Sequence, residues 1–171
     1  KLLPQFGRRL ARPLIAGVGR HPNIRGIMKL EMRIGGVSAI VQALCYVLGF
    51  ALLATSMNPG NTDGWTQVQK LEFILERESL FVFWNIVIYV VFGAALVVLA
   101  VVLHRLLEPV ASLAVSIGTP FGLIWAGLVV ASGMVANVGL AWVSAAYETG
   151  AEAAAQTWIV IGIVQDGIGG G

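Results

Sequence analysis

Charge is scarce in this sequence: of its 171 residues only 12% are Asp, Glu, Lys or Arg, against 57% hydrophobic ones. A water-soluble globule of this size needs more polar side chains than that to cover its surface, so composition alone points to a membrane protein. Cysteine is nearly absent. Cys45 stands alone, which excludes an intrachain disulfide and leaves no partner for a CxxC redox pair or a thiolate zinc site. No metal-ligand cluster, haem-spaced histidine pair, phosphate-cradling loop or nucleophile with its base is spelled out either. No catalytic residue, metal or cofactor is therefore assigned.

The charge that exists is unevenly placed. Eight of the 11 basic residues (Lys1, Arg8, Arg9, Arg12, Arg20, Arg25, Lys29 and Arg33) precede position 34. Arg8, Arg9, Arg12, Arg20, Arg25 and Lys29 alternate with apolar side chains such as Leu10, Leu14, Ile15, Val18 and Ile24, a mixture suited to an anionic lipid surface. Pro13 and Pro22 divide this arm, residues 1–33, into short pieces. Without any recognition motif, its charge points to membrane lipid or to the acidic face of another membrane subunit, and not to nucleic acid.

Beyond the arm, the long uncharged stretches predict an all-α, polytopic transmembrane bundle of about four spans, the last partial. Residues 34–56 carry no Asp, Glu, Lys, Arg or His; 23 residues at a rise of ~1.5 Å reach ~34 Å, enough for a hydrocarbon core of ~30 Å. Residues 79–104 form the second span, with 17 Leu, Ile, Val or Phe between Ser79 and Leu103. Such insertion energy outweighs the single amide of Asn85. The third, 113–143, is too long for an upright helix, so either it begins at Pro120 with Thr119 as its cap or it is a longer helix kinked there, the form preferred here. His104 to Pro109 is expected to supply the turn before it. The fourth, 153–171, ends in Asp166 and a glycine cluster, and further spans are expected after Gly171. Basic residues crowd the arm and the turn after span two, whereas the segments after spans one and three are acidic. The positive-inside rule then places the N-terminus in the cytoplasm.

In the outer loop, 57–78, the run Asn58-Pro59-Gly60-Asn61 reads as a turn. Trp65, Val68, Leu71 and Leu75 then recur at helical spacing, predicting an amphipathic helix at the outer interface, with a ligand lid as the alternative. Within the spans, Ser38, Gln42, Cys45, Gly49 and Ser56 line up on one face; Asn85, Tyr89 and Gly93 on another; and Gly118, Gly122, Ala126, Gly133 and Asn137 on a third. Small and amide-bearing faces of this kind favour close helix packing in lipid. Gln42, Asn85, Tyr89 and Asn137 are equally candidates to line a solute path. Asp166 is the one acid expected at depth, where a carboxylate marks either a functional site or a packing seam.

The run Pro120-Phe-Gly-Leu-Ile-Trp-Ala-Gly, with Ala131-Ser-Gly-Met, Gln156-Thr-Trp and Asp166-Gly-Ile-Gly-Gly-Gly, resembles uncharacterised bacterial multi-span inner-membrane proteins of a domain-of-unknown-function family. The resemblance covers about residues 34–171; it implies about six spans and a bacterial inner (plasma) membrane, and it carries no activity. Two functions follow as expectations. The first is a structural or accessory subunit, packed against other membrane subunits and bound to lipid; the second is a small-solute transporter or channel with a polar bundle interior.

Overall fold

The computed structural model describes residues 24–169, and every regular element among them is helical. In chain order these are α1 (Ile24–Ala54), α2 (Gln67–Leu75), α3 (Glu78–Asn85), a π-helical stretch (Ile86–Val91), α4 (Phe92–Tyr147) and α5 (Ala151–Gly169). Two helical stretches, Gly26–Ala54 with 29 residues and Glu78–Tyr147 with 70, are long and apolar enough to cross a membrane. Of the basic arm, Arg8, Arg9, Arg12 and Arg20 lie outside the described residues. Residues 24–33, expected to belong to the arm, instead form the first turns of α1, with Lys29 exposed on them. Helix nucleation is costly and elongation is not, so a 31-residue helix extends readily through Met28, Lys29, Leu30 and Glu31, all residues that tolerate helical geometry.

Seventy residues in one straight helix would run ~105 Å, but the chain folds back on itself. Ala111 leaves helical geometry at φ −144°, ψ 45°. From there contacts step outward in antiparallel register: His104 with Thr119, Ala100 with Gly122, Gly93 with Ala126 and Val130, and Tyr89 with Gly133. The turn thus falls later than the expected His104 to Pro109 segment. Pro109 stays helical because its fixed φ suits a helix. The helix also runs on through Pro120, as in the longer of the two forms considered above, but its break lies at Ala111 and not at Pro120.

The remaining passes align in the same way. α1 runs antiparallel to the first arm of the fold-back: Gly49 packs on Ile88 and Gly35 on Val102, and the Trp84 indole N–H donates to the Gly49 carbonyl at 3.0 Å. Near the fold-back, Arg105 meets Glu31 at 2.9 Å. α5 runs antiparallel to the second arm of α4, with Gly139 against Ile161 and Gly169 against Ser132. Gly35, Gly139 and Gly133 sit where a side chain would collide with the neighbouring helix, the close approach that small residues allow.

At the opposite end from the fold-back, α2 closes the bundle. Thr66 caps it, its hydroxyl accepting from the Gln69 amide while the Gln69 side chain accepts from the Thr66 amide, so two orphan donors are satisfied reciprocally. The turn before it uses Asn58 and Asn61 side chains to accept from the Gly60 and Asp63 amides, and Gly60 and Gly64 take positive φ. Leu71 is fully buried with Leu140, Val143, Ala154 and Ala155. The amphipathic spacing is real, and the apolar face of α2 docks on α4 and α5. Trp65, expected at headgroup level, lies against Phe73 with ring centres 5.9 Å apart.

Candidate functional site: a polar and aromatic cavity inside the bundle

The first arm of the fold-back carries polar groups at intervals, and each meets a polar or small residue on the second arm at the same level. Glu78 Oε2 accepts from the Ser144 hydroxyl at 2.9 Å. One turn and more deeper, Asn85 is 3% exposed, and the register places Asn137 at its height. The Oδ1 atoms of both amides are buried and without a hydrogen-bond partner. Next comes Tyr89, whose ring lies on Gly133 and whose hydroxyl accepts from Gln165 Nε2 on α5 at 3.1 Å. Ser132 donates to the Gln165 backbone carbonyl at 3.0 Å. Tyr89, Gln165 and Ser132 therefore tie three passes together at one height.

The local cause is the π-helical stretch. Five of the six residues in Ile86-Val-Ile-Tyr-Val-Val are β-branched, and such side chains are crowded against the preceding turn in an α-helix. Wider π geometry relieves that crowding, and π turns inside α-helices are often found at functional sites. Tyr89 sits inside it, with Trp84 edge-on at 6.2 Å.

Beside Tyr89 lies a cavity of about 200 Å³ whose wall comes from four helical segments: Tyr46 of α1; Ile88, Tyr89 and Phe92 of the first arm; Trp125, Val129 and Ser132 of the second; and Gln165, Asp166 and Gly169 of α5. Tyr46 is fixed edge-on to Phe92, ring centres 5.0 Å apart. Asp166 borders the space and is itself exposed. Its height follows from helix length: Asp166 lies ~22 Å along α5 from Ala151, and Tyr89 lies ~17 Å from Glu78, so the cavity is several turns from the α2 end of both helices.

The sequence-derived candidates separate here. Tyr89 and Asp166 share the cavity. Asn85 and Asn137 pair in register one turn closer to α2 and outside its wall. Gln42 donates to the carbonyl of Ser38, four residues back, at 3.3 Å and is not part of this cavity's wall. Ser38, Cys45 and Gly49 are buried toward the bundle as their spacing implies, while Ser56 lies past the end of α1. Missed were Tyr46, Phe92 and Trp125, whose alignment depends on helices far apart in sequence, and Gln165, neighbour of the noticed acid. His104, expected in the turn after span two, is partly buried within α4, its Nδ1 2.9 Å from the Thr119 hydroxyl. Toward the fold-back no polar group faces the seam between Tyr89 and His104. Among the described residues, no group of three or more His, Cys, Asp or Glu could hold a metal.

No protein-family model, curated protein or solved structure matches the chain.

Proposed function

We propose that this chain is a multi-pass integral membrane protein that binds a small solute halfway down its helical bundle, in the manner of a carrier. In this reading α1, the two arms of the fold-back and α5 are four passes through the bilayer. The basic arm, including Arg8, Arg9, Arg12 and Arg20, lies on the cytoplasmic lipid headgroups, and α2 covers the outer end. The observation that carries it is the cavity at Tyr89, which draws its wall from every pass and contains polar groups at a depth where they are costly. Sites at the bundle midplane are where solute carriers place their substrates. A permanently open channel is disfavoured, because just past the cavity Gly93 closes the seam against Ala126 and Val130 of the second arm.

The test is water access. With Cys45 replaced by Ala, a cysteine at Gln165 should react with a small water-soluble thiol reagent in membranes at a rate within about tenfold of one at Glu72, which is exposed on α2. A Gln165→Cys variant that stays unmodified while the Glu72→Cys variant reacts would mean a dry cavity, and the solute reading fails.

One observation favours the accessory-subunit reading instead. Val110 and Leu113, at the fold-back, are 81% and 76% exposed, and they lie past the Arg105–Glu31 ion pair. An apolar tip beyond an ion pair is what a partner subunit would cover. Substituting both by Ser should release such a partner during purification in mild detergent; unchanged composition of the purified material counts against it.

A further inference from the structure

We infer that the cavity at Tyr89 takes an organic cation, an amine or quaternary ammonium compound, held between the aromatic rings of Tyr46, Tyr89, Phe92 and Trp125 and the carboxylate of Asp166. The inference rests on the solute-binding reading above and names the substrate class of that same site. Three features of the wall point to this chemistry. First, four aromatic residues border a space of about 200 Å³, smaller than the several hundred Å³ of a drug-sized pocket and suited to a compact ion. Aromatic faces attract cations through the ring quadrupole, more strongly where water is excluded, and cages of them select quaternary ammonium groups. Two of the rings, Tyr46 and Phe92, are already held edge to face at 5.0 Å, so little side-chain freedom remains to be lost on binding.

Second, the Asp166 carboxylate has no hydrogen-bond or ion-pair partner among the described residues. Gln165 and Ser132, its neighbours in the wall, are engaged with Tyr89 and with backbone. The described basic residues lie at the bundle ends: Lys29, Arg33 and Arg105 near the fold-back, Lys70 and Arg77 beside α2. A carboxylate at this depth is stabilised by an opposite charge, and no basic residue described in this chain reaches it. Third, the wall is wrong for a bare metal ion. Calcium and magnesium ask for six or more oxygen ligands or retained waters, whereas here the wall offers one carboxylate and the polar groups of Tyr89, Ser132 and Gln165, already hydrogen-bonded to one another. A diffuse cation with an apolar surface satisfies the rings and the acid together.

Choline and its uncharged isostere 3,3-dimethylbutan-1-ol test this by titration calorimetry on the whole chain in mild detergent. The expected result is saturable choline binding, with the isostere weaker by about tenfold or more. Asp166→Asn should weaken choline by about tenfold and leave the isostere within about twofold, Asp166→Glu should keep choline within about threefold, and Trp125→Leu should weaken choline by about threefold, in keeping with one lost ring contact. Equal binding of the two ligands, displacement of choline by equimolar sodium, or choline binding indifferent to Asp166→Asn overturns the cation assignment and leaves the solute site standing. If neither ligand binds and the Gln165→Cys variant is also unreactive, the solute reading itself falls. Monodispersity of each variant on gel filtration separates lost binding from lost fold.

Discussion

The two ends of the bundle are held together by different means. Near α2, Leu71, Leu140, Val143, Ala154 and Ala155 are excluded from the surroundings, and Glu78 is bonded to Ser144 across the seam. Near the fold-back, the arms part around a largely apolar gap of about 380 Å³, lined by residues from Leu96 to Gly122, with the His104–Thr119 contact as its one polar bond. The close end has a covering helix; the looser end has none, and exposes Val110 and Leu113 instead. The cavity occupies the junction, where tight packing stops and the arms begin to separate.

The sharpest way to break this contrast is to remove its keystone. Leu71→Ala should destabilise the protein by about 2–5 kcal/mol, the usual cost of a cavity at a fully buried leucine, whereas Leu113→Ala at the fold-back should change it by less than about 0.5 kcal/mol. Thermal unfolding in detergent reads both, and equal shifts would erase the difference between the ends. A smaller effect comes from overpacking: Gly133→Ala places a methyl group into Tyr89 and should cost about 1–3 kcal/mol. Gly118→Ala, where nothing lies within 4 Å, should be neutral or raise the melting temperature, since alanine exceeds glycine in helix propensity by about 1 kcal/mol. Smallest of all, Arg105→Gln removes an ion pair whose arginine is 64% exposed; the expected loss is at most about 1 kcal/mol and should fade as salt is raised.

Gly118 and Gly133 also mark how far the sequence could be read. Both belong to one line of small residues, and helical periodicity correctly turned most of that line, with Ala126 and Asn137, toward the bundle. Whether a given glycine meets a neighbour depends on how far the other arm extends past it, and that is set by the position of the fold-back. The break at Ala111 has no local signature: Pro109 is the visible interruption, yet its φ is helical. Ser38, Cys45 and Gly49 were legible because a single helix fixes their shared face. Tyr46 and Trp125 were not, because lipid-facing and inward-facing aromatics look alike in sequence; only the packing of α1 on the first arm, itself folded against the second, makes them one wall. Asp166 was legible as an acid in an apolar run, since charge there is rare enough to be noticed in isolation. Docking of α2 through Leu71 went unread for the opposite reason: an amphipathic face presents the same spacing to lipid and to protein.

The proposed four passes put α2 and the α4–α5 turn on one side of the membrane and the fold-back on the other. Impermeant thiol labelling of single cysteines at Lys70, Glu108 and Glu152, each exposed and each introduced with Cys45 changed to Ala, measures this directly. Residues 70 and 152 should react in intact cells, and residue 108 only after the membrane is opened. Reaction of residue 108 alongside the other two, or reaction of 70 and 152 from opposite faces, contradicts the topology and with it the placement of the cavity inside the bilayer.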